Sequence, residues 1–89
     1  MSWRIELSRS AEQQFRALPR KEQQRIALPI DGLAENPRPV GAVKLAGEEG
    51  VYRLRSGDYR ILYTLQDSVL LVLVLKIGHR REVYPKSKV

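Results

Sequence analysis

Seven consecutive apolar residues, Val69 through Leu75, followed by Lys76 and Ile77, constrain this chain more than any other feature. A run of about 4–8 apolar residues reads as a strand covered on both faces. A membrane-spanning helix would need about 20. In a chain of 89 residues one domain is expected, and a domain near this size buries only about 60–65% of its unfolded surface. The core must therefore be thin, with residues 69–77 as the central strand of a single sheet and little else to cover it. A deep substrate tunnel or a large enclosed cofactor does not fit.

The preceding residues predict what covers that sheet. Trp3-Arg4-Ile5-Glu6-Leu7 alternates strictly and reads as a half-buried strand. Ser8 or Ser10 can cap a helix in which Ala11, Phe15 and Leu18 share a face, and Pro19 closes it or opens the next. Residues 20–35 carry a second helical period through Ile26, Ile30 and Leu33. Pro29 lacks a donor and clashes with the turn before it, so a kinked helix or two short ones is predicted. Asn36-Pro37-Arg38-Pro39 ends the helical region. The second half is strand-like: a lead-in at 43–46, strands at 51–55 and 59–65 joined around Ser56-Gly57, then a turn at Gln66-Asp67-Ser68. Gly78 breaks the last strand, and residues 80–84 form a short polar return. The fold class is α+β: an N-terminal strand and a helical hairpin packed on a twisted, mainly antiparallel sheet of four to five strands, one domain over residues 1–89.

Charge then points to a partner. Sixteen Lys or Arg against ten Asp or Glu leave a formal net charge of +6, with one His and no Cys. This excludes disulfide scaffolds and the usual cysteine or histidine zinc sites, fits a cytoplasmic setting, and favours an anionic partner. No leader-like or membrane-spanning stretch is present, and no glycine-rich phosphate loop, since Gly41, Gly47 and Gly50 lack its spacing. With two-residue and three-residue turns, Arg53 faces Arg60, Arg55 faces Asp58, Leu65 faces Val69 and Asp58 faces Lys76. Arg53, Arg55, Arg60 and Lys76 then share one side of the sheet. Tyr59, Ile61, Tyr63, Leu71, Leu73, Leu75 and Ile77 share the other, towards the helices. Asp58 reads as a charge partner of its neighbouring arginines. The cationic side is either a wet face with arginines splayed into solvent or a phosphate-binding surface, to which planar guanidinium forks are suited. His79 is the lone side chain whose unperturbed pKa lies near neutrality, and the arginines beside it favour the neutral form a general base requires.

Three segments carry a family resemblance: Lys44-Leu45-Ala46-Gly47, Val51-Tyr52-Arg53-Leu54-Arg55-Ser56-Gly57-Asp58-Tyr59-Arg60-Ile61-Leu62-Tyr63, and Ile77-Gly78-His79-Arg80-Arg81-Glu82-Val83-Tyr84. Together they resemble the RelE toxins of the RelE/ParE toxin–antitoxin superfamily, over nearly the whole chain. The resemblance implies a ribosome-dependent endoribonuclease that cuts messenger RNA in the ribosomal A site. In that reaction the 2′-hydroxyl attacks the adjacent phosphorus, with no metal and no cofactor. It also implies a cognate antitoxin as partner, operator DNA bound by the toxin–antitoxin complex, and no membrane.

By motif, Arg53 and Arg55 flank the scissile phosphate, Arg60 stabilises the transition state, Arg80 serves the leaving group and Tyr84 orients or stacks the nucleotide. Lys44, Lys76 and Arg81 are the surrounding RNA- or phosphate-binding cations. The best-known RelE enzyme has lysines where Arg53 and Arg55 stand. A guanidinium is a poor base, so Arg55 is assigned to electrostatic stabilisation. His79 and Tyr84 are the candidates for the base, Tyr84 needing strong depression of a pKa near about 10. Two other readings are a ParE-like inhibitor of DNA gyrase, against which Arg80 with Tyr84 discriminates, and a non-catalytic antitoxin- or DNA-binding module.

Overall fold

The computed structural model describes residues 2–47 and 50–79. Strand β1 (Arg4–Leu7) leads into helices α1 (Arg9–Ala17) and α2 (Arg20–Gly32). Strands β2 (Val43–Lys44), β3 (Val51–Ser56), β4 (Tyr59–Gln66) and β5 (Leu71–His79) follow, with a 3₁₀ turn at Asp67–Val69 between the last two. The sheet has five strands in the order β1-β5-β4-β3-β2, and only β1 and β5 pair in parallel. This is the predicted α+β architecture. No helix among the described residues is long and apolar enough to cross a membrane.

Local chemistry explains the helical half. The Ser8 hydroxyl accepts from the Ala11 amide at 3.0 Å, capping α1. Leu18 is extended ahead of Pro19, and α2 starts directly after that proline. Pro29 does not split α2, which runs unbroken to Gly32. Pro29 forgoes its own amide bond to the turn before it, while Ile26, Ile30 and Leu33 hold the buried face. That face and Ala11 pack on Leu54, Ile61, Tyr63, Val72, Val74 and Ile77 of the sheet.

The strand half departs from prediction in four places. The simplest is that Gly78 does not break the last strand, which runs on through His79 opposite Tyr59; the other three concern register. First, the β3–β4 loop is Gly57-Asp58, not Ser56-Gly57, so Ser56 faces Tyr59 and Arg55 faces Arg60. Gly57 has a φ of 61°, and glycine is favoured where the first loop residue of a tight hairpin needs positive φ. The slip is two residues, so every β3 side chain keeps its predicted side.

Second, Val69 and Leu70 belong to the connection rather than the strand. Leu70 adopts φ 52°, ψ 54°, and Gln66, not Leu65, opens the ladder, opposite Leu71. Strand β5 is interior, between β1 and β4, but β4 and not the predicted β5 is the middle strand.

Third, the β4–β5 ladder slips by one between Leu62–Lys76 and Tyr63–Val74, leaving Leu75 as an extra residue. This β-bulge reverses the side of everything before it. Val72 and Val74 enter the helix-side core, and Leu71 and Leu73 stand on the opposite side, contrary to prediction.

Candidate active site on the open side of the sheet

With the helices on one side, the other side of the sheet gathers the cations. In one row across the strands stand Arg55, Arg60 and Gly78; in the next, Arg53, Leu62 and Lys76. Strands lie about 4.8 Å apart, so three of them span about 10 Å. The predicted grouping of Arg53, Arg55, Arg60 and Lys76 on one side is therefore present, in a different register. Leu62 is only 6% exposed between Arg53 and Lys76, whose aliphatic stems can cover it while their charged ends reach outward.

This arrangement is electrostatically unfavourable by itself. Arg55 and Arg60 are directly opposed, and like charges so placed cost about 0.2–1 kcal/mol. The Nε–H of Arg60 is shut off from solvent and meets no hydrogen-bond acceptor among the described residues. The ion pairs found among those residues are Arg4–Glu6, Arg16–Glu12 and Arg38–Asp67. None involves Arg55, Arg60 or Lys76, and Asp58 is an exposed turn residue rather than their counter-ion. A phosphate oxygen would supply both the missing charge and an acceptor.

Two candidates fall elsewhere. His79 pairs in register with Tyr59, on the helix side, and its ring meets the Tyr59 ring edge-on at 5.9 Å and 74°. Past the bulge, Lys76 and Gly78 face with the arginines while Ile77 and His79 face the helices. His79 there lines a cavity of about 390 Å³ with Gln14, Leu18, Tyr59 and Ile77. Lys44 pairs with Tyr52, so the sheet separates it from Arg53, whose neighbour on β2 is Val43. Arg80, Arg81 and Tyr84 lie outside the described residues. Among the described residues no group of three or more His, Cys, Asp or Glu could hold a metal ion.

A second polar cluster, centred on Arg38, has no signature in the sequence. Arg38 donates to the Tyr52 hydroxyl at 3.3 Å and to Asp67 at 3.2 Å, with its guanidinium 5.7 Å from the Tyr52 ring centre. Both hydrogen bonds hold its pKa above the usual arginine range, Tyr52 contributing most. Tyr52 stacks on Tyr63 at 5.6 Å, and the Tyr63 hydroxyl donates to the Pro37 carbonyl at 2.8 Å. Burial, reinforced by Tyr52 and opposed by Arg38, pushes the Tyr63 hydroxyl up to about 12. The cluster clasps the loop after α2 onto β3 and β4. Arg38 and Asp67 are 29 residues apart, and only their turn-like settings are legible in sequence.

The model of a family described as ParE toxin of type II toxin–antitoxin system, parDE, matches residues 5–84. Toxin RelG of Mycobacterium tuberculosis (strain H37Rv) is 33% identical over 52 residues, which make up 58% of this chain and 60% of that protein. The mRNA interferase toxin RelE of Escherichia coli (strain K12) is 29% identical over 91 residues, covering 98% of this chain and 95% of the relative. A chain in the archaeal RelE–RelB complex from Pyrococcus horikoshii OT3 superposes with a TM-score of 0.78 at 26% identity, covering 93% of this chain and 100% of its own length. The chain belongs to the ParE toxin family of type II toxin–antitoxin systems, within the RelE/ParE superfamily, and among its relatives it is similar to the RelE toxins.

Proposed function

We propose that this chain is a ribosome-dependent messenger RNA endonuclease whose scissile phosphate docks on the Arg53–Arg55–Arg60–Lys76 face. The observation that carries this reading is the direct opposition of Arg55 and Arg60, with the Arg60 Nε–H lacking an acceptor among the described residues. The likeness to an mRNA interferase over nearly the full chain supports the same reading.

In the reaction, the 2′-oxygen bonds to phosphorus as the bond to the 5′-oxygen breaks. The 2′-hydroxyl passes its proton to a base, for which Tyr84 is the candidate left once His79 is set aside. The leaving oxygen gains one, and the products are a cyclic phosphate and a 5′-hydroxyl. Negative charge grows on the non-bridging oxygens, where arginine forks stabilise it. Arg53 and Arg55 flank the phosphate and Arg60 meets the developing charge. By resemblance, Arg80 stabilises the leaving oxygen and Tyr84 orients the nucleotide, with Arg81 as a further RNA contact. Because the face is an open sheet, the ribosome supplies the remaining enclosure and the substrate geometry. A cognate antitoxin and, through the complex, operator DNA complete the partners, a reading supported by the RelE–RelB assembly of the archaeal relative.

His79, across the sheet from the arginines, takes no proton in this mechanism. Replacement of His79 by alanine should leave the pH–rate curve of cleavage within about twofold of the parent, whereas loss of a general base costs about 10²–10⁴. A loss of that size in the variant would restore His79 to the reaction.

The purified chain added to programmed ribosomes should cut the message at defined positions and leave the same message intact without ribosomes. The ParE description of the matching family model favours a second reading, inhibition of DNA gyrase, for which gyrase-linked DNA breaks with intact messenger would be the result. Neither outcome would leave a binding module.

A further inference from the structure

The one-residue slip in β5 decides which side chains reach the cationic face. Val72 and Val74 point to the helices. An unbroken strand would carry Lys76 to the same side, under α1, and would turn Ile77 towards the arginines. Insertion of Leu75 exchanges the two, so that Lys76 stands opposite Leu62 in line with Arg53, and Gly78 stands opposite Arg60. Burial of Ile77 in the core, with Lys76 kept out of it, favours the extra residue. Its hydrogen-bonding support comes from α1.

Strand β1 covers the edge of β5 only as far as the Leu7–Val74 pair. Beyond that point the backbone groups of β5 on this edge are met by α1 and its cap. The Ser8 amide donates to the Val74 carbonyl at 2.8 Å. The Ser8 hydroxyl donates to the carbonyl of Leu75, the bulged residue, at 2.8 Å, and accepts from the Ala11 amide at 3.0 Å. Farther along, the Ile77 amide donates to the Gln14 side-chain carbonyl at 2.7 Å. All three side-chain bonds are partly buried. A bulge leaves a ladder group without its strand partner, and here one hydroxyl satisfies that group while starting the helix.

We infer that Ser8, assisted by Gln14, is a positioning residue for phosphate binding: it fixes the Leu75 bulge and thereby places Lys76 on the arginine face. The inference rests on reading that face as the RNA site. Serine acts here through Lys76 and does not touch the substrate.

The test uses the full chain on programmed ribosomes, measuring kcat/KM for messenger cleavage against salt concentration. Ser8→Ala and Lys76→Ala should each lower kcat/KM by about tenfold or more, the loss of one charge-assisted contact. Each should also flatten the logarithmic salt slope by about one, the signature of one lost phosphate contact. Ser8→Thr, which keeps the hydroxyl, should retain the parent slope. Combining Ser8→Ala with Lys76→Ala should cost no more than Lys76→Ala alone, since both remove the same contact. A folded Ser8→Ala variant with the parent salt slope, or full summation in the double variant, would overturn the inference.

A readout independent of activity is the cross-strand proton contact between Leu62 and Lys76 in nuclear magnetic resonance spectra. It should be lost in Ser8→Ala and kept in Ser8→Thr; its persistence in Ser8→Ala would equally overturn the assignment. Should Ser8→Ala fail to fold, Gln14→Leu, which leaves the cap intact, replaces it in both measurements. If the parent chain cuts no message, the RNA reading falls, and the spectroscopic comparison still decides whether Ser8 sets the register.

Discussion

Replacement of Arg60 by alanine is expected to reduce messenger cleavage on programmed ribosomes by about 10²–10³, the usual cost of deleting one preorganised donor to developing charge. Its stability should move the other way. In the free protein Arg60 is opposed by Arg55 and holds a solvent-excluded Nε–H with no acceptor among the described residues. Removing it relieves like-charge repulsion and an unmet donor, each of which destabilises the folded state. The variant should therefore melt at or above the parent temperature while losing activity. A structural arginine would show the opposite pairing, with stability and activity falling together. Arg60→Lys keeps the charge but loses the planar fork, so an intermediate rate is expected. Melting curves and single-turnover cleavage on the same preparations separate these outcomes.

The largest stability effect is expected at Tyr63. It is fully buried and leads the buried side chains by volume. It joins two interactions, the stack on Tyr52 and the hydroxyl bond to Pro37. Tyr63→Ala should cost about 3–5 kcal/mol, as for other buried aromatic truncations. A chain of this size has a total of about 4–13 kcal/mol, so the variant should unfold at far lower urea concentration or fail to fold. Tyr63→Phe keeps the ring and loses one hydrogen bond, about 1 kcal/mol.

The pH dependence distinguishes the hydroxyl further. The folded protein holds the Tyr63 proton up to about 12, against 10.0 for the free side chain. Above pH about 10 the unfolded chain releases that proton and the folded chain does not, so the unfolded state binds fewer protons and stability falls. The contribution is complete below pH about 10 and is lost as pH rises through about 12. Urea midpoints across this window should decline more steeply for the parent than for Tyr63→Phe. Parallel curves would contradict the placement of the hydroxyl.

Much of this architecture is legible in the chain because alternation survives an even error. The β3–β4 turn lies one residue later than predicted, which shifts the pairing by two and leaves Arg53 and Arg55 beside Arg60 on the open side. The same logic fails in β5. Residues 69–75 are uniformly apolar, so no polar residue marks which side each occupies, and the insertion of Leu75 leaves no trace in the pattern. Leu71 and Leu73 therefore change places with Val72 and Val74, whereas Lys76 and Ile77, past the bulge, keep their predicted sides and His79 follows Ile77 to the helix side. Ser8 was visible as a cap. Its bond to Leu75, 67 residues away, was not, because the partner is a backbone carbonyl without sequence identity. The Arg38–Asp67 bridge likewise depends on two turns meeting only in the folded state.

The central claim is that a phosphate is attacked by its own 2′-hydroxyl on the arginine face, and the chemistry of the product ends tests it most directly. Messenger recovered from programmed ribosomes after treatment with the parent chain should carry a 2′,3′-cyclic phosphate upstream of the cut and a 5′-hydroxyl downstream, and Arg60→Ala should yield almost none of either. Intact messenger with the parent chain, or fragments ending in a 3′-hydroxyl and a 5′-phosphate, would contradict it.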